Sequence, residues 1–142
     1  MKNQDAVEQV ISLVEGNIES SYSYDSNRKT WLLPKSFSLP NQFANGLSYN
    51  QFISILILLT DLLYPCMSIK NRSIKVDRNQ ALARYSDIQQ QVIEAKVLAN
   101  LPGFLSSFKN PSTLRQILVG SLLAKQNTTD FDDTKFVLSL IF

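Results

Sequence analysis

Residues 66–77 read CMSIKNRSIKVD, and whether this stretch pairs with itself decides whether the chain is purely helical. If the chain reverses at Asn71-Arg72, Met67, Ile69, Ile74 and Val76 fall on one face and Ser68, Lys70, Ser73 and Lys75 on the other. That is the two-residue alternation of a half-buried hairpin. Asn-Arg is a poor substitute for the Asn-Gly of a tight turn, because both central residues of such a turn need positive φ. A plain basic loop is therefore an equal alternative for the same residues.

Immediately upstream, residues 52–63 read FISILILLTDLL. Ser48 followed by Gln51 forms a capping box, so a helix starts there, runs to about Tyr64 and is ended by Pro65. A bilayer span needs about 20 apolar residues. This run stops at Pro65 and contains Ser54, Thr60 and Asp61, which makes it a core helix or one shared with a partner. Asp61 is expected to reach solvent or to cap a neighbouring helix.

Downstream, Asp77 to Gln80 repeats the capping signature and opens a helix through about Leu101, with Ala81, Tyr85, Ile88, Val92, Ala95 and Ala99 as its inner stripe. Pro102-Gly103 ends it. Asn110 and Pro111 start a helix to about Lys125 whose Leu114, Ile117, Leu118, Val119, Leu122 and Leu123 cover more than one side, so it should be central. Thr129 or Asp130 caps a last helix ending in FVLSLIF, and Phe142, with no polar tail after it, is expected to be buried. At the other end, Val7, Val10, Ile11, Val14 and Ile18 recur at helical spacing and predict an amphipathic helix over 4–20.

Between residues 20 and 47 this periodicity disappears. Pro34 and Pro40 block a helix, Asp25-Ser-Asn marks a turn, and Tyr22, Tyr24, Trp31, Leu32 and Phe37 are spaced for a short hairpin. A connection of this length points to a binding loop or a segment ordered by a partner. The 142 residues, 44% hydrophobic and 18% charged, fit one globular domain. The expected fold is all-α: a single domain over 1–142, a bundle of about five helices with at most a small accessory β-hairpin.

The composition removes most enzymatic chemistry. The chain has no histidine, which excludes the usual general base near neutral pH, the commonest metal ligand and the Ser-His and Cys-His nucleophile systems. Its four glycines, Gly16, Gly46, Gly103 and Gly120, form no phosphate-cradling pattern. Asp130, Asp132 and Asp133 lack the later ligands of a calcium loop and read as acids at a helix N-terminus. Cys66 reads as a buried, inert thiol and offers no disulfide framework. Acids near the N-terminus replace the basic start of a secretory signal, so a cytoplasmic, non-catalytic protein without cofactor or metal is expected.

Charge is segregated along the chain. Residues 1–25 carry one base against five acids, a net of −4; residues 130–142 carry one against three, −2; residues 26–129 carry twelve against four, +8. The densest part, KNRSIKVDR, supplies Lys70, Arg72, Lys75 and Arg78, and Arg84 continues it into the next helix. These five are the candidate nucleic-acid-binding residues, holding phosphates without reading bases, with Tyr64, Tyr85 or Trp31 available for stacking. A solvated face that keeps a small protein soluble accounts for the same charges. Acidic ends flanking a basic middle also suit packing between copies of the chain.

With KNRSIKVDR and Arg84 as a basic strip, apolar ends in ISLVEGNI and FVLSLIF, and no catalytic residues, the chain resembles the small helical subunit of CRISPR effector complexes of the Cascade type. The resemblance lies in size, helical character and charge layout. It implies a subunit of a ribonucleoprotein assembly, packed against other subunits and copies of itself, touching guide RNA or single-stranded DNA through backbone charges. A net charge of +2 is lower than that family's more basic members carry. The other function class open to the residues is a protein-interaction adaptor, or a phage or bacterial regulatory module, whose apolar helix lies in a partner groove without nucleic acid.

Overall fold

The computed structural model describes residues 2–34, 48–91, 101–106, 108, 111–127, 135, 137 and 139. The 66–77 stretch does pair with itself: β4 (Met67–Lys70) and β5 (Ser73–Val76) are antiparallel, with Met67 opposite Val76 and Ile69 opposite Ile74. Asn71 and Arg72 both take positive φ, 54° and 59°, which a two-residue type I′ turn requires and which follows the right-handed strand twist. The apolar face turns inward, with Ile74 and Val76 in the core.

The hairpin is not an isolated accessory. Helix α1 (Lys2–Val14) ends well before residue 20, because Gly16 takes φ 124°, a conformation closed to residues with a Cβ. The chain then runs as β1 (Gly16–Asn17) along β5, giving a three-stranded antiparallel sheet in the order β1-β5-β4. A second hairpin follows, β2 (Ser23–Asp25) against β3 (Thr30–Leu32), where the spacing of Tyr24, Trp31 and Leu32 allows a short hairpin inside the long connection expected over 20–47. The Asp25 carboxylate accepts from the backbone N–H groups of Asn27 and Arg28 and holds the turn. The protein is therefore α+β, with five strands in two antiparallel sheets beside the helices among the described residues, and not the all-α bundle expected. Strands β1, β2 and β3 are two or three residues long, too short for alternation to stand out from the sequence.

Helix α2 (Tyr49–Leu63) starts where the capping box places it: the Gln51 N–H donates to Ser48 Oγ, and the Ser48 N–H donates to Gln51 Oε1. A 3-10 turn, Tyr64–Cys66, carries Pro65 into β4. Helix α3 (Arg78–Gln91) is capped by Asp77, and α5 (Pro111–Lys125) is the central helix, with residues 117–124 all buried. Between them, Leu101–Ser106 forms a short helix, α4; Pro102, expected to stop a helix, sits in its first turn, where a missing N–H costs nothing. The expected course of α3 through residues 92–100, the loop at 35–47 with Phe37 and Pro40, and the buried end at Phe142 lie outside the described residues.

The core is shared by all layers. Val7, Val10, Ile11 and Val14 of α1 meet α3 and α5, while Phe52, Ile55, Leu56 and Leu59 of α2 meet α5 and α4. Phe52, Phe104 and Phe108 form a ring cluster with centroids 5.5–5.9 Å apart. The segment Tyr49–Cys66 is long and apolar enough by composition to cross a membrane, yet half of it is buried inside the protein, a placement compatible with a soluble fold. The hydroxyls buried with it, Thr60 and Ser121, donate to carbonyls one turn back, of Leu56 and Ile117.

Candidate nucleic-acid interface

The structure divides the five predicted cations. Arg72 folds back from the β4–β5 turn, its Nη2 donating to the carbonyls of Glu19 at 3.1 Å and Tyr22 at 2.6 Å, with the guanidinium 5.6 Å from the centre of the Trp31 ring. Arg78 forks onto α1, donating through Nη1 and Nη2 to the Glu15 carboxylate and through Nε to Glu8. Its guanidinium, assisted by the Val76 N–H, holds the Glu15 carboxyl below the usual glutamate range, against the opposing effect of burial. Arg84 donates to the Asp61 carbonyl at 2.9 Å and has its Nε buried with no partner among the described residues. Only Lys70 and Lys75 project from the outer face of the hairpin with no ion pair among the described residues. Sequence spacing places all five in one strip; three of them join elements of the fold.

A different constellation forms around Trp31. Tyr24 and Trp31 are directly opposite on β2 and β3, their rings 5.2 Å apart and tilted by 55°. Trp31 is buried; Tyr24 is 48% exposed. Together with Ile69, Arg72 and Gln126 they line an open groove of about 400 Å³. Asn127, just past α5, fixes its floor by pairing with β3 as a strand would: its Oδ1 accepts from the Trp31 N–H and its Nδ2 donates to the Trp31 carbonyl. Tyr22, fully buried, donates its hydroxyl to the Gln116 carbonyl at 2.6 Å and ties the same turn to α5; burial, with Glu19 nearby, pushes its phenol well above the usual range.

The tip of β2–β3 carries Arg28 and Lys29, and the tip of β4–β5 carries Lys70 beside Arg72. Over residues 23–32 and 67–76 the two hairpins hold five cations, Arg28, Lys29, Lys70, Arg72 and Lys75, against Asp25 alone, a net of +4 in a chain of net +2. Arg28, Lys29 and Tyr24 escape a reading by charge density because they lie some 40 residues from the basic strip and meet it only through the fold. The hairpin spacing of Tyr24 and Trp31 is their one trace in the sequence. Of the other aromatics expected to stack, Tyr85 is buried, and Tyr64 lies 5.2 Å from Lys125 Nζ.

Outside this region the singled-out residues serve packing. Asp61 accepts from Lys125 Nζ at 2.8 Å, joining α2 to α5. The buried Cys66 thiol donates to the Leu62 carbonyl, and burial pushes its pKa up, away from thiolate reactivity. Among the described residues no three His, Cys, Asp or Glu side chains are placed to hold a metal ion. Compared with protein-family models, with curated proteins and with solved structures, the chain matches none.

Proposed function

We propose that the protein is a non-catalytic, cytoplasmic subunit of a larger assembly, contacting the backbone of single-stranded nucleic acid through its two hairpins. The observation that carries this is the net charge of +4 gathered on two adjacent hairpins around an aromatic groove, where Asp25, 3.8 Å from Arg28, is the single acid, while Arg78, Arg115 and Lys125 elsewhere are matched by acids. Phosphate contacts need mobile surface cations, and Arg28, Lys29, Lys70 and Lys75 are all exposed. Other protein subunits, copies of this chain among them, belong to the proposal as the resemblance to Cascade-type small subunits implies. The all-helical shape that carried part of that resemblance does not hold, so the nucleic-acid contact rests on charge and groove alone.

The test is anisotropy of a labelled 20-nucleotide strand over a salt series, with wild type and the variant R28E/K29E/K70E/K75E. Wild type should bind with steep salt dependence and little sequence dependence. The variant should lose binding, and R28Q/K29Q/K70Q/K75Q should flatten the slope of log K against log salt by about 3, near 0.7 for each phosphate no longer neutralised. Unchanged affinity in the folded charge-reversal variant overturns the proposal. One observation favours the adaptor reading instead: Leu32 and Tyr49 remain exposed among the large apolar side chains. A stable protein partner recovered unchanged from nuclease-treated lysate, with no strand binding, would select it.

A further inference from the structure

We propose that the groove between the hairpins seats one unpaired nucleobase, with Tyr24 as the stacking ring and Arg72 as the contact for the attached phosphate. This rests on the nucleic-acid reading above and adds to it a defined site that recognises a base. The groove, about 400 Å³ and open on one side, is within the roughly 300–1,000 Å³ range of small-ligand sites and suits a single nucleotide. Tyr24 is half-exposed at its mouth and is backed by the buried Trp31, so its ring is held while still offering surface to a ligand. Base-on-aromatic stacking needs such a supported ring.

Arg72 supplies the charge. Its Nη2 is committed to the Glu19 and Tyr22 carbonyls and its plane to Trp31, whereas its Nε and Nη1 donors have no partner among the described residues. A guanidinium fixed on one side and open on the other is preorganised for a phosphate oxygen. Gln126 lines the same groove, and its carboxamide makes no hydrogen bond among the described residues. A paired donor and acceptor of this kind matches the N6/N7 edge of adenine. Arg28, Lys29 and Lys70 at the hairpin tips carry the strand to either side.

Trp31 is the single tryptophan of the chain, so its emission reports directly on the groove. Wild type, Tyr24→Ala, Tyr24→Phe and Gln126→Ala should be titrated with a 12-mer of deoxyadenosine and with a 12-mer of abasic sites carrying the same number of phosphates. The adenosine strand should quench Trp31 and bind about tenfold more tightly than the abasic strand. Tyr24→Ala should erase that difference while leaving abasic binding unchanged, Tyr24→Phe should retain it, and Gln126→Ala should lower the preference for adenosine over thymidine strands. Equal binding of adenosine and abasic strands overturns the base seat and leaves the backbone contact standing. Failure of both strands to bind overturns both proposals.

Discussion

Arg72 holds a backbone conformation, φ 59°, that costs an L-residue roughly 1–2 kcal/mol. Glycine would avoid the cost, yet the side chain returns it through two hydrogen bonds to carbonyls about fifty residues away and a face on Trp31. The two contributions separate experimentally. Arg72→Ala removes the side-chain bonds and keeps the strain, and should lower stability by about 2–3 kcal/mol; Arg72→Gly removes the same bonds but relieves the turn, and should be more stable than the alanine variant by about 1 kcal/mol. Urea unfolding of the pair measures it, and equal midpoints would mean the turn does not impose positive φ. That Arg72 is a cation near other cations was legible in the sequence. Its partners were not, because charge density along a chain is blind to carbonyls that the fold delivers from residues 19 and 22. Arg78 and Arg84 were obscured in the same way by Glu8, Glu15 and the Asp61 carbonyl.

Among the elements, α2 was legible because its start and stop are local events, a Ser-Gln capping box and a proline within 18 residues. The β4–β5 register was legible too, since alternation fixes which residues face inward. The length of α1 was not: the apolar stripe continues to the buried Ile18, while Gly16 has already turned the backbone into a strand. The consequence of that turn is the contact of α1 with α3 and β5, where Glu15 accepts from Arg78 and from the Val76 N–H. The Glu15 carboxyl is held below the ordinary glutamate value of about 4.3. A carboxyl depressed in the folded state contributes stability that is present above its unfolded value and disappears as the pH falls through the folded one. Stability should therefore decline from about pH 5 downward, and Glu15→Gln, weaker at pH 7, should show a shallower decline. Urea midpoints from pH 7 to 3.5 test this; parallel curves for the two proteins would exclude Glu15 as a source. On the opposite side, Asp61 and Lys125 join α2 to α5 with side chains 39% and 18% exposed. Partial exposure limits their coupling to about 1 kcal/mol or less in a double-mutant cycle of Asp61→Asn with Lys125→Met.

At the scale of the molecule, several of the long-range bonds that tie the sheets to the helices and to each other converge on the Trp31 region. Asn127 pairs its carboxamide with β3 from the end of α5, Tyr22 donates to Gln116 in α5, and Arg72 joins the β4–β5 turn to the start of β2–β3. A two-stranded hairpin is marginal by itself in water, so β2–β3 owes its order to these ties. The helices and the hairpin should then unfold together, and the probes for each are independent: far-ultraviolet dichroism follows the helices, and emission of the single tryptophan follows β3. Their urea transitions should coincide in the wild type. Asn127→Ala removes both side-chain bonds to Trp31 while leaving the apolar core of α5 intact, and should move the emission midpoint below the dichroism midpoint as the hairpin detaches first. If the two probes already separate in the wild type, the hairpin is an independent element and the groove beneath Tyr24 is not a fixed surface. If they remain coincident in Asn127→Ala, the Tyr22 bond to α5 and the Arg72 bonds to the Glu19 and Tyr22 carbonyls suffice to hold the hairpin.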